Sequence, residues 1–305
     1  MSKCTLITGG SGFLAVNWAF SERDNTDICL SLNKRKINIS GTSQVPINLL
    51  NKENLLFIID NIKPDLIVHT AAITDVNYCE LFPREAAITN LDIANIVSSV
   101  SSEMSIPLIH ISTDHLFSGS TSYADEKCPP FPINTYALTK AGAEGVVLKN
   151  NPQALILRTN FFGWGPPYRG SFSDWIINNL RESKPITLFD NVFFTPVYVN
   201  ELVKVALSLH AAEKVGIYNV SSDNRLSKFE FGILLAKQFD LDLNLIKKGK
   251  YNKSEKIQRP LDMSLDNKKL RECGIAEKID IGKSIEMLYK QEYISRELES
   301  IVCDV

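Results

Sequence analysis

The sequence lacks the features that would make it a metalloprotein, a membrane protein or a nucleic-acid binder. It has six cysteines, at 4, 29, 79, 128, 273 and 303, and no C-x-x-C. That spacing speaks against a zinc site or a dithiol redox motif, so no metal is expected. Several of the cysteines sit in apolar, strand-like runs, as buried free thiols do in a reducing cytosol, and a cytoplasmic location is expected. No apolar run approaches the roughly 18 residues that span a membrane. The start, M-S-K-C-T-L-I-T-G-G, breaks at glycine before a secretion signal could form. The longest basic cluster, Lys34-Arg35-Lys36, is too short for a nucleic-acid arm. Neither a membrane nor a nucleic acid is expected as a partner.

What remains is ordinary for a globular chain: 305 residues, 44% apolar, 22% charged, net charge −2. The first 160 residues alternate short apolar runs with helix-length segments. The runs are 4–8, 27–32, 65–70, 107–112 and 154–159, and helices are expected near 85–103 and 135–149. That alternation predicts an α/β fold, a Rossmann-type doubly wound parallel sheet. Ligands of such sheets bind beyond the carboxyl ends of the strands. After Gly163 the texture changes. G-W-G-P-P-Y-R-G-S is turn-rich, and the remainder mixes expected helices (171–182, 199–211, 227–239, 280–293) with short strands (185–189, 216–220, 243–247). The expected organisation is a dinucleotide-binding domain over 1–162 and a smaller α/β substrate-binding lobe over 163–305, with some segments returning to the first domain.

The first run ends in T-G-G-S-G-F-L-A, Thr8 to Ala15. Gly9 permits a tight turn, Gly12 lets backbone approach a pyrophosphate, and Ala15 allows the helix to pack on the strand. The helix that follows offers its N-terminal N–H groups to the phosphates. The second run leads into Leu32-Asn33-Lys34-Arg35-Lys36, and no acid occurs from Ile28 to Ser43. An NAD binder usually places an acid there, against the ribose 2′-hydroxyl. Three cations instead suit a 2′-phosphate, so NADPH is the expected cofactor, with NADH the alternative.

Two Y-x-x-x-K pairs occur, Tyr123/Lys127 and Tyr136/Lys140. Chance supplies about 0.7 such pairs in a chain of this composition, so spacing alone decides nothing. Tyr123-A-D-E-Lys127 runs into Cys128-Pro129-Pro130, which stops a helix. Asn134-Thr135 starts one, and Tyr136 and Lys140 then share a face. A free phenol titrates near 10, and a nearby ammonium is expected to lower that value. Such an acid can protonate a carbonyl oxygen as hydride arrives at its carbon. Ile111-Ser112-Thr113-Asp114, at another strand end, supplies hydroxyls to hold that oxygen: Thr113, or alternatively Ser112.

Together these pieces resemble the extended short-chain dehydrogenase/reductase family, and within it the dTDP-4-dehydrorhamnose reductase group. The similarity covers nearly the whole chain. It includes K-P-D-L-I-V-H-T-A-A-I-T-D-V (63–76), I-T-N (88–90), S-T-D-H-L-F-S-G (112–119), N-T-Y-A-L-T-K (134–140), I-L-R-T-N (156–160), F-T-P-V-Y-V (194–199), G-I-Y-N-V (216–220) and R-P-L-D-M-S-L-D-N-K-K-L (259–270). The resemblance implies Thr113, Tyr136 and Lys140 as the catalytic set, with Tyr136 and Lys140 also meeting the cofactor. It implies cofactor contacts from Gly9, Gly12, Phe13, Leu14, Asn33, Lys34, Arg35, Asn48, Leu49, Ala71 and Ala72, with Asn90 supporting the site. It places Asp114, His115, Asn160, Phe161 and Arg259 against a nucleotide-sugar substrate, Arg259 on its diphosphate. Tyr168, Arg169, Phe194 and Trp175 are weaker candidates.

The chain departs from that group in having His115 for tyrosine, Phe161 for tryptophan and Asn48 for an acid. Asp114-His115 also lacks the Asp-Glu pair of the related dehydratases, which argues against water elimination. The implied activity is NADPH-dependent reduction of the 4-keto group of a nucleotide-linked deoxysugar, in surface polysaccharide or deoxysugar biosynthesis, by a possible homodimer. Two alternatives stay open: a nucleotide-sugar epimerase, and a non-catalytic NADP-binding regulatory subunit resembling that of methionine adenosyltransferase.

Overall fold

The computed structural model describes residues 3–252 and 257–301. Cys303 lies outside them. Six strands, β1 (Cys4–Thr8), β2 (Asp27–Leu32), β3 (Thr42–Pro46), β4 (Leu66–His69), β5 (Leu108–Ile111) and β6 (Leu155–Thr159), form one sheet with a seventh, Gly216–Val220. From one edge the order is β3-β2-β1-β4-β5-β6 and then Gly216–Val220, and every pairing is parallel. This is the doubly wound order, and its switch point lies between β1 and β4. The central strands are apolar because helices cover both faces; β4, β5 and β6 are buried at every position. β3 was not expected. Its sequence, T-S-Q-V-P, is half-exposed at the sheet edge, where a polar strand ending in proline is tolerated.

The helix Thr135–Asn150 starts where the Asn134 side chain accepts from Ala137 N at 2.8 Å. Tyr123 and Lys127 lie in turns, with Tyr123 at φ 53°. The expected helix over 85–103 is a longer rod, Pro83–Glu103, interrupted by a π-turn at Ile88–Asp92.

Beyond β6 three short strand pairs form: Val197–Tyr198 with Phe161–Phe162, Leu226–Ser227 with Phe193–Phe194, and Ile246–Gly249 with Ile186–Phe189. The strand expected at 243–247 begins later, because the Asp242 side chain accepts from Asn244 N and winds Leu243–Leu245 into a 3-10 turn. One hydrophobic core joins this region to the sheet, running from Trp18 and Leu30 through Phe194 and Phe231 to Leu288. No helix among the described residues is long and apolar enough to cross a membrane. No cluster of metal-ligating side chains occurs among them, and Cys4, Cys29, Cys79, Cys128 and Cys273 are free thiols.

Candidate active site

A cavity of about 760 Å³ opens at the carboxyl ends of the strands, over the switch point. Its floor is the turn after β1. Gly9 takes φ 69°, and a Cβ there would stand 2.8 Å from Ala71 Cα. The two strand ends can approach this closely only because residue 9 is glycine. Gly12 caps the helix Phe13–Glu22 without a side chain, so the first-turn N–H groups are left for a ligand. Gly12, Phe13 and Leu14 line the cavity, as do Ala71, Ala72, Asn48 and Leu49. An uncapped helix start behind a glycine turn is receptive to a pyrophosphate. These residues fit a dinucleotide.

Past β2 the cations separate. Asn33 and Arg35 line the cavity and Lys34, in the bend between them, does not. Lys34 is therefore withdrawn as a cofactor contact. Arg35 lies over the ring of Tyr168, its Cζ 4.0 Å from the centroid, so the glycine-rich segment after β6 reaches across to the β2 end. Arg169 donates from Nη2 to Thr74 Oγ1 at 3.0 Å and makes a second bridge.

Asn90 supports the site from behind the cavity wall. It stands on the π-turn and points inward, accepting from Ile73 N at 2.7 Å and donating to Thr139 Oγ1 at 3.0 Å. It braces the segment after β4 against the helix Thr135–Asn150 and does not line the cavity.

Thr113, Tyr136 and Lys140 meet on the cavity wall, all buried. Lys140 Nζ donates to the Ile111 carbonyl at 2.7 Å. The Ser112 hydroxyl donates to Glu144 at 2.6 Å, whereas that of Thr113 donates only a long bond to Asp114 at 3.3 Å and is the freer of the two to turn toward a ligand. Glu144 also takes a bidentate pair from Arg158, with Nη2 at 2.8 Å and Nε at 3.0 Å.

Burial pushes the Tyr136 phenol above its ordinary value, against a hydrogen bond from Thr113 and with help from the Asp114 charge. The expected depression by lysine does not occur. Lys140 faces Ile111 and Glu144, and burial pulls it down to about 8 against the Glu144 charge. The phenol is thus a fully protonated acid at working pH.

On the remaining wall, Asp114 accepts from Asn160 Nδ2 at 2.8 Å and from Thr113 Oγ1 at 3.3 Å. His115 meets the Tyr136 ring edge-on at 5.6 Å, and burial pulls its pKa below the ordinary value against the Asp114 charge. Phe161 stacks on Phe13 at 5.6 Å, joining the glycine turn to the second region. Arg259 is not among the cavity-lining residues; its Nη2 donates to Asn77 Oδ1 at 2.7 Å, and its charge acts on His115 in the wall. Tyr168 and Arg169 do line the cavity, whereas Trp175 and Phe194 do not. Lys228 and Phe172 line it without having been expected. The signal for Lys228 was present in S-K-F-E, Ser227 to Glu230: a capping box with a cation at the first helical position, where a helix prefers an acid.

A model of the family described as RmlD substrate binding domain matches residues 3–293. The chain is similar to a probable low-salt glycan biosynthesis reductase of Haloferax volcanii, 30% identical over 207 residues, which is 66% of this chain and 68% of that protein. It is also similar to methionine adenosyltransferase 2 subunit beta of Xenopus laevis, 27% identical over 298 residues, 91% of this chain and 84% of that one. Among solved structures, dTDP-4-dehydrorhamnose reductase of Bacillus anthracis, in complex with NADP, superposes with a TM-score of 0.85 at 24% identity, covering 95% of this chain and 100% of that chain. A hypothetical dTDP-4-dehydrorhamnose reductase of Sulfolobus tokodaii superposes with a TM-score of 0.77 at 28% identity, covering 88% and 93%.

Proposed function

The chain belongs to the RmlD substrate binding domain family, and from that premise we propose that it reduces the 4-keto group of a nucleotide-linked deoxysugar with NADPH. One observation carries the reading. A buried, protonated tyrosine, a threonine hydroxyl and a lysine share one cavity with a glycine turn suited to a pyrophosphate.

NADPH, when bound, supplies the hydride. Gly9, Gly12, Phe13 and Leu14 would hold its pyrophosphate, and Arg35 its 2′-phosphate. Thr113 holds the ketone oxygen by a hydrogen bond. Tyr136 gives its phenolic proton to that oxygen as the hydride reaches C4, so the ketone becomes a secondary alcohol and the phenol a phenolate. A phenolate in a buried site is costly. Lys140, at about 8, can release a proton near neutral pH and is suited to restoring the phenol.

The second reading, a cofactor-binding regulatory subunit, is supported by the 27% identity to methionine adenosyltransferase 2 subunit beta over 91% of this chain. One assay separates the two. NADPH oxidation is followed at about 340 nm, the band of the reduced nicotinamide, with dTDP-, GDP- and CDP-linked 4-keto-6-deoxysugars. The reductase turns over one nucleotide class, and Tyr136→Phe lowers kcat by roughly 10²- to 10⁴-fold. NADPH binding without turnover on any of them overturns the reductase reading.

A further inference from the structure

Lys228 is the first residue of the helix Lys228–Gln238. A cation there meets the positive end of the helix dipole and costs stability. Its Nζ lies 3.2 Å from the Phe194 ring centroid and 4.9 Å from that of Phe172. Asp114 supplies the opposite charge that acts on it, yet Nζ has no hydrogen-bond acceptor among the described residues. The ammonium donors that do not face the Phe194 ring therefore stand in the cavity wall without an oxygen partner among the described residues. Asp114, with one bond at each oxygen from Thr113 and Asn160, keeps lone pairs to spare. His115 Nδ1 beside it is buried and likewise unpartnered among the described residues.

We propose that Lys228 and Asp114 together bind a hydroxyl group of the sugar beside the reacting ketone. The ammonium donates to the hydroxyl oxygen and the carboxylate accepts the hydroxyl proton. A hydroxyl is the group that uses both partners. A carboxylate or phosphate would meet the Asp114 charge, and a methylene would leave the ammonium and the spare lone pairs of the buried carboxylate without a polar partner. Lys228 is thereby a specificity-determining residue. This rests on the reading of the cavity as a ketosugar site.

The test is binding of nucleotide-linked 6-deoxyhexoses, with and without the ring hydroxyls at C2 and C3. It is measured by titration calorimetry in the presence of NADP on the wild-type, Lys228→Met and Lys228→Arg proteins, beside turnover of the matching 4-ketosugars. The wild type should bind the hydroxylated sugar roughly 10- to 100-fold more tightly than its deoxygenated counterpart. Lys228→Met should narrow that preference to about twofold or less, and Lys228→Arg, which keeps a donor, should retain part of it. Equal wild-type affinities, or a preference that survives Lys228→Met, overturn the proposal. A wild type that shows the preference but turns over no ketosugar overturns the reductase reading and leaves the role of Lys228 standing. A wild type that binds no nucleotide-sugar overturns both.

Discussion

His69 and His110 face each other across β4 and β5, their ring centroids 5.2 Å apart. Only His69 Nδ1 finds a partner, the Thr8 hydroxyl at 2.7 Å; His69 Nε2 and both nitrogens of His110 have none among the described residues. Burial, with the Lys140 charge nearby, pulls His69 down to about 3 and His110 well below its ordinary value. Both are neutral in the folded protein and would charge on unfolding in acid. Their folded pKa values lie below the unfolded one, so the stability they contribute is full above about 6.5 and is lost as pH falls toward about 3. His110→Leu removes two unsatisfied nitrogens. It should raise stability by about 1–2 kcal/mol at pH 7 and flatten the acid limb of a melting-temperature profile. A steeper acid limb in the variant would contradict this account.

Lys140 and Lys228 are both pulled to about 8 by burial. For each, the folded state binds its proton less tightly than the unfolded state does. The resulting penalty is complete below about 8 and is relieved as pH rises from there toward the ordinary lysine value near 10.4. Stability should therefore climb across that window while turnover, which uses the charged Lys140, declines. Lys140→Met should lower kcat by roughly 10²-fold or more and abolish the alkaline limb of the rate profile. If Lys228→Met alone abolishes that limb, the limb belongs to Lys228 instead.

Glu144 and Arg158 form a buried ion pair whose side chains are 4% and 2% exposed. Removing either partner leaves an uncompensated charge under the catalytic wall. Glu144→Ala or Arg158→Met should each cost about 3–5 kcal/mol in denaturant unfolding. The double substitution should cost less than the two singles combined, because neither charge is then orphaned.

Arg35 and Asn33 face the cavity where an NAD binder would carry an acid. Arg35→Ser should raise KM for NADPH about 10- to 100-fold and leave KM for NADH within about threefold, since a charge-assisted bond to phosphate is lost in one case only. Equal effects on both cofactors would assign Arg35 to holding Tyr168 in place.

The strands that line up the site were legible because burial on both faces writes an unbroken apolar run. β3 was not, because an edge strand needs no such run. Gly9, Gly12, Thr113, Tyr136 and Lys140 could be read from strand ends and a helix start. Lys34, Asn90 and Arg259 could not be sorted from cavity-lining residues, since their placement is decided by a bend after β2, a π-turn and a distant Asn77. The direction of the Tyr136 shift was also hidden: spacing puts a lysine four residues on, but tertiary structure turns that lysine toward Ile111 and Glu144.

The bond from Lys140 Nζ to the Ile111 carbonyl fastens the helix Thr135–Asn150 to the strand end that carries Thr113. The spacing of the Tyr136 phenol and the Thr113 hydroxyl is thus set inside the sheet. Phe161, Tyr168, Phe172 and Lys228 come from later in the chain and reach the cavity from outside that scaffold. Substitutions at those four positions can reshape the far wall of the cavity while the spacing of the Tyr136 phenol and the Thr113 hydroxyl stays fixed.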